Sequence, residues 1–289
     1  MGASRCGSFE RRNWYQEGGG GTNRNKLKKG GLSKSYMREL RGLLWKRYHE
    51  SMSSPAHRHP PGQNLLIDAD DTLWENNIYF ERAIANFISF LNHHEYTPDQ
   101  VREVLYDVER ENIRQHGYGM NSFAIALVKC FEQLSVEPLT PALHETIHGI
   151  AYTIAEHPME LLPEVPETLA ELAQRHHLFL VTKGNITEQT GKFERSGLQE
   201  HFTAIEVVAE KNALAYNSLV EKYGLVREQT WMIGNSPSSD INPALEAGLH
   251  AVFVPHRNTW MLERGDLRPG IGNGRLLQVA SFGHLRNYF

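Results

Sequence analysis

The sequence has little cysteine and no long apolar run. Its 289 residues include two cysteines, Cys6 and Cys130, which exclude a disulfide framework and are typical of a reducing compartment. No apolar run approaches the roughly 20 residues of a membrane span. The basic N-terminus also lacks the apolar core of a secretion signal. We therefore predict a cytoplasmic protein that does not bind membranes.

The N-terminal part is poor in acidic residues. Residues 1–63 hold 13 Lys and Arg against four Asp and Glu, whereas the remainder holds 17 against 30. Runs rich in Gly, and later in Ser, Pro and His, predict that residues 1–63 form a flexible basic extension. Such an arm can bind nucleic acid, but it lacks interleaved aromatic residues. The absence of such aromatic residues favours an extension that does not bind nucleic acid, or a translation start at Met37 or Met52. The acidic character of the remaining chain disfavours general nucleic-acid binding there.

A different pattern begins at Asn64. One apolar strand comes first, then about four helical segments without a strand, and then strands that alternate with helices. This alternation predicts an α/β fold with a doubly wound, mostly parallel, Rossmann-like sheet. Residues 64–76 and 160–289 would form the core, and residues 77–159 an inserted all-helical cap. The predicted strands are residues 65–67, 178–181, 204–208, 231–233 and 251–254.

Polar side chains follow the predicted strands where each strand ends. Asp68 and Asp70 follow the first strand, at a density of oxygen ligands that suits a nucleophilic carboxylate and a hard cation. The alternative is a solvated acidic turn. Because the carboxyl ends of parallel strands share one edge of the sheet, these groups can converge with others from later strands. The later candidates are Thr182, Lys183, Gly184, Asn185, Lys211, Gly234, Asn235, Ser236 and Asp240.

Four segments in this order resemble the motifs of the haloacid dehalogenase (HAD) superfamily. They are Asp68-Ala69-Asp70-Asp71-Thr72-Leu73, Thr182, Lys211, and the stretch from Gly234 to Asp240. The resemblance covers about residues 64–256 and implies a phosphatase of this superfamily with a C1-type helical cap. The expected function is Mg²⁺-dependent hydrolysis of a small phosphomonoester, such as a phosphorylated metabolite, through an aspartyl-phosphate.

The resemblance also implies roles for single residues. Asp68 would be the nucleophile and Asp70 the acid and base, while Thr182 and Lys211 would act on the phosphoryl group. Mg²⁺ would bind the Asp68 carboxylate, the backbone carbonyl of Asp70, and the side chains of two residues of the last motif. Those two residues are Asn235 and Asp240.

Substrate contacts are expected from two loops. Backbone amides at Gly184 and Asn185 would hold phosphate oxygens. Arg114 and Tyr118 flank a glycine break within the predicted cap, and would contact a second anionic or aromatic part of the substrate. A plain interhelical turn is the alternative for this second loop.

Three further alternatives remain open. Asn235 replaces a usual acid of the last motif, so a non-catalytic binding protein of the same fold is one alternative. A 2-haloacid dehalogenase is another, which Asp70 disfavours because carbon–halogen cleavage needs no acid for a leaving oxygen. The segment from His144 to His148 matches the zinc-peptidase pattern HExxH, but no compelling third ligand follows it, and a packed or solvated helix face is the simpler interpretation.

Overall fold

A six-stranded, wholly parallel sheet lies at the centre of the structure, with strand order β3-β2-β1-β4-β5-β6. In this computed structural model, residues 58–91 and 95–289 are described. Residues 1–57, which hold most of the predicted basic extension, lie outside the described residues. The strands are β1 Asn64–Ile67, β2 His177–Lys183, β3 Ala204–Val208, β4 Thr230–Gly234, β5 His250–Phe253 and β6 Leu276–Gln278.

Eight α-helices are found among the described residues. They are α1 Asn77–Leu91, α2 Pro98–His116, α3 Met120–Leu134, α4 Pro141–Tyr152, α5 Val165–Ala173, α6 Ile186–Ser196, α7 Ala213–Tyr223 and α8 Asn242–Glu246. None of the helices in the described part of the chain is long and apolar enough to cross a membrane.

Helices cover both faces of the sheet because its central strands are apolar on both sides. Leu65 and Ile67 of β1 pack in one buried cluster with Leu169 of α5. Leu66, which points to the opposite face, packs in another cluster with Tyr216 of α7. This arrangement confirms the predicted α/β fold with a doubly wound sheet.

Helices α1 to α4 are inserted between β1 and α5 and have an apolar core of their own, which includes Phe87, Leu105, Leu127 and Ile147. The sequence sets the start of α2, where the Thr97 hydroxyl accepts from the backbone N–H of Gln100 at 3.3 Å and the Gln100 side chain accepts from the backbone N–H of Thr97 at 2.9 Å.

The helical insertion leaves and rejoins the rest of the chain at neighbouring points. Trp74 and Leu161 form an antiparallel bridge, and the backbone N–H of Glu75 donates to the carbonyl of Glu160 at 2.9 Å. The two crossing segments therefore lie side by side next to the end of β1. The division into core and cap domains at residues 76 and 160 stays a prediction.

Two features of the fold were not expected from the sequence. The short edge strand β6 pairs in parallel with β5, although its residues are only half-buried and give a weak apolar signal. The chain also forms a π-helical turn over Pro237–Ile241 directly before α8, and this turn carries Asp240 toward the end of β4.

Candidate active site

The predicted site residues meet where the strand order reverses. β1 lies between β2 and β4, so the residues after β1 and β4 face each other across the point where doubly wound sheets bind ligands. One cavity opens at this edge. Eight of the ten residues to which the sequence analysis assigned a role line it, namely Asp68, Asp70, Tyr118, Thr182, Gly184, Lys211, Asn235 and Asp240.

Lys211 connects two buried carboxylates of the cavity, Asp68 and Asp240. Its Nζ forms an ion pair with Asp68 and lies 2.8 Å from Oδ1 of Asp240. Burial raises the pKa of Asp68 above its usual value, and burial together with the Asp68 charge raises the pKa of Asp240 to about 7, even though Lys211 opposes both shifts. Burial lowers the pKa of Lys211, but the charges of Asp240 and Asp68 outweigh it and leave the pKa raised. The lysine is therefore charged, and the trio carries one negative charge in excess when both acids are ionised.

The second carboxylate oxygen of Asp68 faces the end of β4. The Thr72 hydroxyl donates to Asp68 Oδ2 at 2.7 Å and also lies 3.4 Å from Oδ1 of Asn235. Asn235 donates its Nδ2 to the Thr259 hydroxyl at 3.2 Å, while its amide oxygen faces Thr72. The structure thus brings Asn235 and Asp68 together through their shared contact with Thr72.

Glycine is required at the end of β4 because the Asp240 carboxylate lies against it. A Cβ atom at Gly234 would stand 2.2 Å from Oδ2 of Asp240, closer than any non-bonded contact. The same Oδ2 accepts from the backbone N–H of Ser236 at 2.9 Å. The carboxylate is therefore held from one side by backbone and from the other by Lys211.

Asp70 lies in the same cavity but has different partners. Its carboxylate accepts from Trp74 Nε1 at 2.7 Å, Gln189 Nε2 at 3.0 Å and Lys192 Nζ at 2.9 Å. Burial pushes its pKa up, but Lys192 and these hydrogen bonds outweigh burial and hold the pKa below the usual value. Asp70 is thus ionised in this arrangement, whereas burial raises the pKa of Asp68 despite its contacts with Lys211 and Thr72.

The helical insertion supplies the wall opposite the strand ends. Tyr118, in the turn before α3, donates its hydroxyl to Glu210 at 2.6 Å and accepts from Lys183 at 3.3 Å. The backbone N–H of Met120 donates to the Glu188 carboxylate at 3.1 Å. The insertion therefore contacts the end of β2, the first turn of α6 and the loop after β3 across the cavity.

Two predicted substrate-binding residues lie outside the cavity wall. Arg114 pairs with Glu111 one turn earlier on α2 at 2.9 Å, and its side chain is 68% exposed, because the helix runs on to His116 and turns position 114 to the solvent side. Asn185 caps α6 by accepting from the backbone N–H of Glu188 at 3.1 Å. The N–H of Gly184, predicted to hold phosphate, instead donates to the Val208 carbonyl at 3.2 Å.

The residues at this edge fit a magnesium ion. Asp68, Asp240 and Asn235 offer only oxygen donors, which Mg²⁺ prefers. The two carboxylates are buried with one lysine between them, and both have raised pKa values despite that lysine. A divalent cation would compensate the excess negative charge. The Asp70 side chain is occupied by its own partners, so only its backbone carbonyl is left for the metal role that the resemblance implies.

A second group of potential metal ligands lies where the chain enters the helical insertion. Asp71, Glu75 and His256 bring their ligand atoms within 4.8 Å of one another, the one such trio among residues 58–91 and 95–289. The Asp71 carboxylate already accepts from the backbone N–H groups of Asn76 and Asn77 at 2.9 and 3.0 Å, and His256 Nε2 lies 3.3 Å from Glu75. These contacts account for the cluster as part of the turn that leads into α1.

The HExxH segment lies on α4 of the insertion. His144 and His148 stack with their ring centroids 4.3 Å apart, and both His144 and Glu145 are exposed. They do not belong to the ligand trio found among the described residues. The helix-face interpretation is therefore the simpler one for this segment.

Several cavity residues were not found from the sequence. Lys192, Gln189 and Glu263 line the cavity together with Glu109 and Trp260, yet none of them follows a strand within a few residues. Glu109 did carry a signal, because it falls on the apolar stripe of α2 marked by Leu105 and Val108. An acid on a buried helix face is unusual unless it has a partner or a role.

Fold and site together define an α/β enzyme whose centre is a carboxylate–lysine pair at the switch point of a parallel sheet. The family profile of haloacid dehalogenase-like hydrolases matches residues 63–248, which is more than half of the chain. The protein belongs to the haloacid dehalogenase-like hydrolase family.

Individual relatives agree with this assignment. A glyceraldehyde 3-phosphate phosphatase of Methanothermobacter thermautotrophicus is 25% identical over 197 residues, which are 66% of this chain and 84% of that enzyme. A haloacid dehalogenase-like family hydrolase from Xanthomonas campestris has 28% identity and a TM-score of 0.66, covering 80% of this chain and 93% of its own. The magnesium-bound HAD-type protein YfnB of Bacillus subtilis, at 18% identity and a TM-score of 0.55 over 78% of this chain and 97% of its own, shares the fold.

Proposed function

We propose that the protein hydrolyses a small phosphomonoester with Mg²⁺ through an aspartyl-phosphate on Asp68. The observation that carries this proposal is that two carboxylates in one cavity have different partners and pKa values shifted in opposite directions. Asp68 is bound by Lys211 and Thr72 beside Asp240, whereas Asp70 is held by Lys192, Gln189 and Trp74. A nucleophile and a separate acid–base group are what an ester hydrolysis in two steps needs.

In the first step an Oδ atom of Asp68 attacks phosphorus, and the bond from phosphorus to the alcohol oxygen breaks. Asp70 donates its proton to that oxygen, so the alcohol leaves neutral. In the second step Asp70 takes a proton from a water molecule, whose oxygen attacks phosphorus. Inorganic phosphate leaves and the Asp68 carboxylate is restored.

The remaining cavity groups stabilise charge during transfer. Lys211 places a buried positive charge beside the attacking carboxylate, and Thr182 lines the cavity from the end of β2, where its hydroxyl can donate to a phosphate oxygen. When bound by Asp68, Asp240 and Asn235, Mg²⁺ would neutralise the repulsion between the phosphate and the carboxylates.

The Lys192 ion pair favours one of the two protonation states of Asp70. The ionised carboxylate in this arrangement is the form that activates water. To protonate the leaving alcohol, Asp70 must first take up a proton against the influence of Lys192. The two steps therefore make opposite demands on one pKa, which predicts a bell-shaped dependence of the rate on pH.

Asp70 also separates this reaction from dehalogenation. A halide leaves without a proton, so a dehalogenase has no use for a second acid held in the cavity. The relative from Methanothermobacter thermautotrophicus, a glyceraldehyde 3-phosphate phosphatase, also supports a phosphomonoester. The intact arrangement of Asp68, Lys211 and Asp240 favours turnover over a non-catalytic binding role, despite Asn235.

Phosphate release from a panel of phosphomonoesters, measured with and without Mg²⁺, tests this function. We expect metal-dependent turnover by the wild type and none by Asp68→Asn. Full activity of that variant, or no metal-dependent turnover on any ester in the panel, would contradict the proposal. Release of chloride from a 2-haloacid without phosphate release would identify a dehalogenase instead.

A further inference from the structure

One buried carboxyl in the cavity wall has no role in the chemistry described above. Glu109 of α2 is 6% exposed and lines the same cavity as Asp68 and Asp70. Its Oε2 has no hydrogen-bond partner within the described part of the chain. A buried polar atom without a partner costs stability, so this atom points to a ligand that completes its hydrogen bonding.

The protonation state of Glu109 decides which substrate groups it can contact. Burial, with a smaller effect of the Glu81 charge, raises the pKa of Glu109 to about 8, although a hydrogen bond from Trp260 acts in the opposite direction. At neutral pH the group is mostly protonated. In its protonated form it can both donate and accept a hydrogen bond, and it can lose its proton when a cation binds beside it.

The same cavity has no unpaired positive charge for a second anion on the substrate. Its wall holds three lysines against seven carboxyl residues. Lys183 pairs with Glu263, Lys192 with Asp70, and Lys211 with Asp68 and Asp240. Among the described residues no arginine or histidine lines the wall.

Apart from Tyr118, Gly119 and Ser122, the residues from 80 to 123 that line the cavity with Glu109 are apolar. Ile113 follows Glu109 by one helical turn, and Phe80, Phe123 and Trp260 also line the cavity. An alcohol with carbon surface and one hydrogen-bond donor fits this lining. A carboxylate or a second phosphate would be buried there without an unpaired cation to compensate its charge, at a high cost.

Resting on the proposed phosphatase function, we propose that Glu109 binds a hydroxyl or an ammonium group on the alcohol part of the substrate. The cavity correspondingly rejects phosphomonoesters whose alcohol carries a second anionic group. Glu109 is thus a specificity-determining residue, whereas Asp68 and Asp70 act on the phosphoryl group.

A matched set of esters tests this inference. We would measure kcat/KM with Mg²⁺ for propyl, hydroxypropyl, aminopropyl and carboxyethyl phosphate, with p-nitrophenyl phosphate as the reference for phosphatase activity. For the wild type we expect hydroxypropyl or aminopropyl phosphate to exceed propyl phosphate about tenfold or more, and carboxyethyl phosphate to be the poorest. The comparison of the hydroxyl and ammonium esters distinguishes the two donors.

Variants assign the preference to Glu109. Glu109→Leu should reduce the ratio of the preferred ester to propyl phosphate to about one, and Glu109→Gln should keep a preference for hydroxyl but lose one for ammonium. Glu111→Gln, on the exposed side of the same helix, should leave the ratio unchanged.

The failure of this inference is distinct from failure of the proposed function. Turnover of p-nitrophenyl phosphate with equal use of the propyl, hydroxypropyl and aminopropyl esters would overturn the role of Glu109 while leaving the phosphatase. A preference for carboxyethyl phosphate, or a preference retained by Glu109→Leu, would do the same. If Glu109→Leu does not fold, the wild-type ratios and Glu109→Gln decide. Absence of turnover on every ester would contradict both proposals.

Discussion

Lys192 Nζ lies 2.9 Å from each carboxylate oxygen of Asp70. This ion pair holds the pKa of Asp70 below its usual value against the opposing effect of burial. The proposed mechanism requires Asp70 to be protonated in one half-reaction and ionised in the other, so we expect Lys192 to set the pH range in which both can proceed. Lys192 would thus control the proposed acid–base group through this ion pair.

Replacing Lys192 by Met should move the pH–rate profile to higher pH. Without the lysine, burial dominates and the pKa of Asp70 rises. Its protonated form then persists to higher pH, which moves the alkaline limb upward. Its ionised form is lost at higher pH, which moves the acid limb upward as well. Profiles of kcat/KM and kcat against pH measure both limbs. Lys192→Arg, which keeps the charge, should leave them near the wild-type positions, and unchanged limbs in Lys192→Met would argue against the pairing.

Replacing Lys211 by Met should weaken both folding and catalysis. Two buried carboxylates would lose their shared partner, at a cost of about 3–5 kcal/mol in the free energy of unfolding, and kcat should fall by about 100-fold or more. The folded-state pKa values of Asp68 and Asp240 are already above the unfolded values. The stability cost is therefore small below the unfolded pKa and grows as pH rises through the folded pKa.

Urea unfolding near pH 5 and near pH 8 checks this dependence. Lys211→Met should be closer to wild type at the lower pH. Lys222→Met is the matched control, because Lys222 pairs with Glu206 at the surface with its side chain 57% exposed, and should show no measurable change. Equal destabilisation of Lys211→Met at both pH values would contradict the charge argument.

Replacing Asn235 by Asp should strengthen magnesium binding. The change adds a carboxylate where an amide oxygen now faces Thr72, and Mg²⁺ affinity should rise about tenfold. Titration of activity and of melting temperature with Mg²⁺ measures it. Asn185→Asp adds the same charge at the cap of α6, outside the cavity wall, and should leave the affinity unaltered. If the Mg²⁺ requirement of Asn235→Asp equals that of wild type, Asn235 is not a ligand.

Tyr118 and Arg114 should differ in their effect on substrate binding. Tyr118 bridges Glu210 and Lys183 across the cavity, so Tyr118→Phe should raise KM by about threefold to tenfold through the loss of these hydrogen bonds. Arg114→Ala removes an exposed ion pair outside the wall and should change kcat/KM by less than about twofold. Steady-state kinetics on one substrate compares them, and a larger effect of Arg114→Ala would restore it as a substrate contact.

Much of this architecture was predictable because the central strands are continuous apolar runs. The apolar runs predict that β1 and its neighbours are buried strands. Because the predicted sheet is parallel, the polar residues that follow these strands could be assigned to one edge of the sheet. The edge strand β6 escaped prediction, since Leu276–Gln278 is short and only half-buried. A strand with one neighbour and a weak apolar pattern owes its formation to pairing with β5, which the local sequence does not reveal.

The site residues likewise divide into those that the sequence predicted and those that it did not. Asp68, Lys211 and Asp240 lie at strand ends, where chain order dictates position. Lys192 reaches Asp70 from within a helix, and Glu263 reaches Lys183 from a short 3-10 helix after β5. Such contacts depend on how helices and loops pack over the sheet. Arg114 was misplaced for a related reason, because the sequence indicated a break near Gly117 but not which face of α2 would be exposed.

Capture of the phosphorylated protein tests the central role of Asp68 most directly. In Asp70→Asn the base for the second step is missing, so a phosphoenzyme formed from p-nitrophenyl phosphate, whose leaving group needs little acid assistance, should accumulate. Acid quenching and peptide mass spectrometry should then find one phosphoryl group on Asp68 and none in Asp68→Asn. A phosphoryl group on another residue, or turnover by the wild type with no phosphoryl group ever captured on Asp68, would contradict the mechanism.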